Sequence, residues 1–216
     1  KEAFERVLDH GILFMGPEVE ELESKIAEYI GVKYAVGLSS GSSALYLALQ
    51  SCDIGSADEV ITTPLTWIIT ANAIAACGAT PVFADVCDDF NIDPVSINEN
   101  ITSKTKAIVP MHYAGHMCDM ETITQIANEN GLVVIEDAAQ AYGVKYKNKH
   151  CGTFGDVSMI SFFADKTITM GEGAVVLTQE KSIYNKLLLL RNQGRPDSGT
   201  FIHPALGMNL DRTSVV

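Results

Sequence analysis

Three clusters in this 216-residue chain hold side chains that could do chemistry. Ser39-Ser40-Gly41-Ser42-Ser43 lies between an apolar run, YAVGL, and a helical one, ALYLAL. A helix N-terminus presents unpaired N–H groups and a positive dipole end, and Gly and Ser let a phosphate come close to the backbone. The same serines could equally do no more than cap the helix. Glu136-Asp137-Ala138-Ala139-Gln140 follows the run LVVI, where an acidic side chain is either a desolvated structural partner or a charge kept for a cationic ligand atom. Ser161-Phe162-Phe163-Ala164-Asp165-Lys166 follows VSMI. A lysine in that place is commonly solvated, but apolar walls can lower its pKa and make it a nucleophile toward carbonyls. Gly171-Glu172-Gly173 comes soon after, a turn that keeps the backbone close to whatever Lys166 meets.

Taken together these are an anion cradle, a buried carboxylate and a lysine. Pyridoxal 5′-phosphate (PLP) needs a phosphate site, an acid that keeps its pyridine nitrogen protonated and a lysine for a Schiff base. The common nucleotide fingerprints, G-x-G-x-x-G and the P-loop, are absent.

The elements that must position these clusters alternate in period. Val19, Leu22, Ile26 and Tyr29 in EVEELESKIAEYIG mark one face of a helix that Gly31 stops. ALYLAL, TANAIAACG, METITQIANENG and SIYNKLLLLRNQG also read as helices, whereas YAVGL, EVITT, TPVFADV, KAIVPMH, LVVIEDA, VSMISFF and AVVLT read as strands. Continuous Val- and Ile-rich strands indicate a mostly parallel sheet covered on both faces, so the expectation is α/β. Ligands then bind beyond the carboxyl ends of the strands, where all three clusters fall.

With 47% hydrophobic residues, 17 Gly and 7 Pro without a period, the chain is neither disordered nor collagen-like. Fifteen basic against 27 acidic residues give a net charge of −12, which argues against nucleic acid as a partner. The five cysteines lack metal-ligand spacing and read as reduced thiols of a cytoplasmic protein. The uncharged stretch 61–84 contains Thr, Asn, Gly and Pro, which fits a buried strand, loop and helix and not a membrane span. The first residues carry acidic side chains and no apolar segment of a signal peptide.

GPEV, SSGSSALYLAL, DEVITTP, GATPVFADV, KAIVPMHYAG, VIEDAAQAYG, GTFGDVSMISFFADK, GEGAVVLT and LLLLRNQG together resemble the DegT-type nucleotide-sugar aminotransferases, a branch of the fold-type I PLP enzymes. VIEDAAQAYG followed by SFFADK is the most specific part. The resemblance implies an aspartate-aminotransferase-like large domain, a mostly parallel central sheet with helices on both faces. It makes residues 1–216 that PLP-binding domain, with the family's small C-terminal domain missing.

It further implies that Lys166 forms the Schiff base and that Asp137 pairs with the pyridine nitrogen. Gln140 lies near the ring oxygen, Trp67 stacks on the ring, and Ser42, Ser43 and Ser161 hold the phosphate. On composition alone Trp67 could be an ordinary core aromatic. Asn209 matches a residue that reaches the phosphate of the neighbouring subunit, implying a homodimer with shared sites.

The implied reaction moves an amino group from an amino acid, L-glutamate, to a nucleotide-linked keto-sugar, a 4-keto-6-deoxyhexose. The products feed surface polysaccharides, such as lipopolysaccharide, or glycosylated metabolites. Lysine at 166 argues against the branch that carries histidine there and dehydrates. This chain has Gly171-Glu172-Gly173-Ala174 where the family has Gly-Glu-Gly-Gly. After Asn209 it reads Leu210-Asp211-Arg212-Thr213 where the family places Arg two residues on. The rival readings are a non-catalytic PLP-binding or regulatory protein and an α/β nucleotide-binding module.

Overall fold

A computed structural model describes residues 2–65, 67–196, 199 and 201–210. After helix α1 (Glu2–His10), helix α2 (Pro17–Ile30) starts with proline in its first turn, where no N–H is needed, and ends at Gly31, whose φ of 86° suits glycine. Its Val19, Ile26, Ala27 and Ile30 are buried, while Tyr29 at the edge of the apolar stripe is exposed.

Strands and helices then alternate: β1 (Tyr34–Leu38), α3 (Gly41–Ser51), β2 (Glu59–Thr62), α4 (Ile69–Ala76), β3 (Thr80–Phe83), α5 (Pro94–Glu99) and β4 (Thr105–Ile108). A single 3-10 turn at Tyr113–Gly115 leads to α6 (Met120–Asn130) and β5 (Val133–Asp137). A short hairpin, β6 (Lys145–Tyr146) and β7 (Lys149–His150), precedes β8 (Val157–Ser161), β9 (Ala174–Thr178) and α7 (Lys181–Arg191).

Seven strands form one sheet in the order β1-β9-β8-β5-β4-β2-β3. Every pairing is parallel except those of β9, which runs antiparallel to both β1 and β8. Successive residues of each strand serve opposite faces. Val36, Ile135, Met159 and Val176 pack with Leu45 and Leu49 of α3, Ile74 of α4 and Leu187 of α7. Their neighbours Ala35, Ile160 and Val175 pack against Ile26 and Ile30 of α2. Val134 packs with Ile123 of α6 and Ile97 of α5. Both faces are therefore covered by helices, and the fold is α/β with a mostly parallel central sheet.

The uncharged 61–84 stretch becomes the end of β2, helix α4 and β3. No helix among the described residues is long and apolar enough to cross a membrane. The carboxyl ends of β1, β2, β4, β5 and β8 all lie on one edge of the sheet. Because β9 is antiparallel, its beginning, next to Gly171-Glu172-Gly173, comes to that same edge.

Candidate active site

A cavity of about 450 Å³ opens at this edge, and all three sequence clusters reach its wall. The first is the start of α3. Ser40 caps it: its hydroxyl accepts the N–H of Ser43 at 3.2 Å, and the Ser43 hydroxyl accepts the N–H of Ser40 at 3.1 Å. Ala44 N–H is bonded to the Ser40 carbonyl. The N–H groups of Gly41 and Ser42 have no partner among the described residues, and both residues line the cavity. An anion there would meet two free donors at the positive end of a helix dipole.

Ser43, by contrast, is not on the cavity wall, and its hydroxyl is engaged by Ser39 and Ser40. A β-carbon at Gly41 would stand 3.1 Å from the Ser161 hydroxyl, so the glycine lets the cradle close against β8. Ser161 is buried, and its oxygen accepts Phe163 N–H at 3.3 Å.

The two acidic residues at the end of β5 divide the two possible roles between them. Glu136 is fully buried and accepts N–H groups from Gly152 at 2.8 Å, Phe154 at 2.6 Å and Gly155 at 2.6 Å. It also meets His112 Nε2 at 3.0 Å. His112 Nδ1 accepts Cys118 N–H, so Nε2 carries the proton that is donated to Glu136. Glu136 is thus a structural carboxylate, satisfied by the 152–155 loop.

Asp137, facing the other way, lines the cavity. Its Oδ2 accepts the Thr70 hydroxyl at 2.9 Å and its Oδ1 accepts Ala139 N–H at 3.2 Å. Burial pushes its pKa up, and these two donors and the Lys166 ammonium pull against that shift. A desolvated carboxylate with two modest neutral donors is suited to a cationic N–H partner.

Lys166 stands on the same wall with its side chain 19% exposed and Nζ 3.3 Å from Asp165 Oδ1. The loop that carries it is tied down by Met170 N–H to Phe162 carbonyl at 2.9 Å and Phe162 N–H to Gly173 carbonyl at 2.8 Å. Among the described lining residues the charged side chains are Asp137, Asp165, Glu172 and this one cation. Gln140 lines the cavity with Oε1 accepting Ala114 N–H at 2.7 Å.

Trp67 lies on the wall, 74% exposed, which excludes the core reading and leaves its ring face available to a ligand. The donor set therefore fits PLP: free backbone donors for a phosphate, an aromatic face, a buried acid and an amine.

Asn209 is exposed, is bridged to Asn192 through the backbone and does not line the cavity. The next residue does touch the cradle, since Leu210 carbonyl accepts Ser39 N–H at 2.8 Å. Asp211, Arg212 and Thr213 lie outside the described residues. Sequence reasoning missed Thr70, Ser40 and Gly41. Ser40 and Gly41 stood inside the quoted Ser39–Ser43 motif, whereas Thr70 carries no motif and meets Asp137 only through the fold.

The sequence pattern described as the DegT/DnrJ/EryC1/StrS aminotransferase family matches residues 1–214. The chain is 44% identical over 201 residues to GDP-perosamine synthase of Escherichia coli O157:H7, covering 93% of this chain and 55% of that protein. Among solved structures, the aminotransferase from Psychrobacter cryohalolentis superposes with a TM-score of 0.93 at 36% identity, over 99% of this chain and 58% of the other. DesV of Streptomyces venezuelae, solved in complex with a ketimine intermediate, gives a TM-score of 0.94 at 37% identity, over 99% of this chain and 58% of the other. The chain spans a little over half the length of these relatives, and from residue 1 to 214 it belongs to the DegT/DnrJ/EryC1/StrS aminotransferase family.

Proposed function

We propose that residues 1–216 form the cofactor-binding large domain of a PLP-dependent aminotransferase that transfers an amino group to a nucleotide-linked keto-sugar. The observation that carries this reading is the meeting of Asp137 and Lys166 on the wall of one cavity that the free N–H groups at the start of α3 also line. When bound, PLP supplies a carbonyl that takes up the donor's nitrogen and a cationic ring that accepts an electron pair.

The chain's own residues do the rest. Gly41 and Ser42 N–H, with the Ser161 hydroxyl, hold the phosphate, and Trp67 covers one face of the ring. Asp137, kept in place by Thr70 and Ala139, holds the proton on the pyridine nitrogen, because a buried carboxylate is stabilised by a cationic partner. Lys166 Nζ forms the covalent tether. Its free amine would be the base positioned to take the proton from the donor's α-carbon and to return it as an acid. L-Glutamate as donor and a 4-keto-6-deoxyhexose as acceptor follow from the family resemblance.

Exposed Ile68 and Ile168, outside the cavity lining, suit a homodimer that brings Asn209 to the neighbouring site. The test is to mix the PLP-loaded chain with L-glutamate and follow the cofactor's visible band and the 2-oxoglutarate released. One equivalent of 2-oxoglutarate with loss of the band supports transamination. A persistent band with no keto acid favours the non-catalytic PLP-binding reading instead.

A further inference from the structure

Next to the cavity the backbone adopts a conformation that its residue type disfavours. Ala114 has φ 49° and ψ 26°, the left-handed region that a β-carbon makes costly. Gly115 follows at φ 78°, and a β-carbon there would lie 3.1 Å from the carbonyl oxygen of Gln140. The turn is held from behind: Tyr113 N–H donates to Oδ1 of buried Asn91 at 3.1 Å, and His116 N–H to the Tyr113 carbonyl at 2.8 Å. Its effect is to aim Ala114 N–H at Gln140 Oε1 at 2.7 Å. Strained backbone that other bonds maintain is a mark of pre-organisation.

A backbone N–H can only donate, so the end of the Gln140 amide that it meets must be the oxygen. The Nε2 end, which has no partner among the described residues, is then left as a donor on the cavity wall. We propose that the Tyr113–Gly115 turn is a positioning device that locks the polarity of the Gln140 amide, so that Gln140 presents only a donor and selects the deprotonated ring oxygen of the bound cofactor. The proposal rests on the cofactor reading above. A hydrogen bond donated to the charged form of an oxygen favours that form, so the lock lowers the pH at which the ring oxygen ionises. Asp137, Asp165, Glu172 and Lys166 face the same cavity and stay constant across the variants that test it.

The test uses the PLP-loaded chain with Gln140→Leu, Gly115→Ala and the double variant, measuring cofactor dissociation and the pH midpoint of the visible band. Gln140→Leu is expected to weaken PLP about 10-fold and raise the midpoint, as loss of a charge-assisted bond would. Gly115→Ala should give part of the same change, and the double variant no more than Gln140→Leu alone, because the turn acts through that side chain.

Independent, additive effects, or a silent Gly115→Ala beside an effective Gln140→Leu, would overturn the positioning role and leave the cofactor contact standing. A Gln140→Leu variant that shifts neither quantity refutes the contact itself. Should Gly115→Ala fail to fold, hydrogen exchange at the Ala114 amide decides. Faster exchange in Gln140→Leu is the expected result, and unchanged exchange overturns the lock.

Discussion

The hydroxyl of Thr70 donates to Oδ2 of Asp137 at 2.9 Å, joining the first turn of α4 to the carboxyl end of β5 in the interior. Thr70→Val nearly preserves shape and deletes that donor. The Asp137 carboxylate then loses one of the forces that oppose burial, and its pKa rises further. We expect PLP affinity measured against pH to show its acid limb displaced upward in Thr70→Val, with the high-pH plateau reduced only several-fold. An unshifted limb would mean that Asp137 does not control binding.

Asp137 also makes the cofactor-free chain pH-sensitive. Its folded pKa is raised, with burial as the main cause, so in the window between the ordinary value of about 4 and its own higher value the folded chain holds more protons than the unfolded one. Stability contributed by this group is present below the window and falls as pH rises through it. Thermal melts of the cofactor-free chain should therefore show a loss across that range that Asp137→Asn abolishes. Parallel curves for the two proteins would contradict the assignment.

Glu136 should matter for folding where its neighbour matters for the cofactor. Replacing it with Gln leaves one acceptor oxygen for three backbone N–H groups and His112, at a cost of about 3 kcal/mol of stability. Chemical denaturation should show this cost for Glu136→Gln, while Asp137→Asn folds normally and fails to hold PLP. The reverse pattern would exchange their roles.

The large features of this fold were legible because strands buried on both sides read as unbroken apolar runs and the helices carry clear 3.6-residue stripes. The direction of β9 was not legible, since AVVLT, buried throughout, looks the same run either way. The six-residue α5 and the two-residue strands β6 and β7 are too short to show a period, whereas α1 does carry a helical stripe, Phe4, Val7 and Leu8, that the sequence reading leaves out. At the site, Lys166, Asp137, Gln140, Ser42, Ser161 and Trp67 all reach the cavity wall. Ser43 is taken by the helix cap, a competition between ligand and backbone that residue types alone do not decide. Thr70 is separated from Asp137 by 67 residues, and only the sheet order brings them together.

The cradle gives a steric prediction. Gly41→Ala places a methyl group 3.1 Å from the Ser161 hydroxyl and 3.2 Å from its β-carbon, so β8 and α3 must separate by a few tenths of an ångström. Titration with PLP should show affinity lowered about 10-fold, roughly one lost charge-assisted bond, and titration with inorganic phosphate a parallel loss. Unchanged affinity for both would place the phosphate elsewhere.

Trp67 contributes little to folding at 74% exposure. Trp67→Ala should leave stability within about 0.5 kcal/mol. It should weaken PLP by about 5- to 10-fold, the equivalent of an aromatic stacking contact of ~1 to 1.5 kcal/mol. A loss of stability without a change in affinity would make it a packing residue after all.

The central claim is the covalent tether, and borohydride reduction of the PLP-loaded chain followed by peptide mapping tests it most directly. The cofactor's mass should appear on the peptide containing Lys166 and vanish in Lys166→Arg, which still folds. Label on any other lysine, or undiminished label in that variant, would contradict the account.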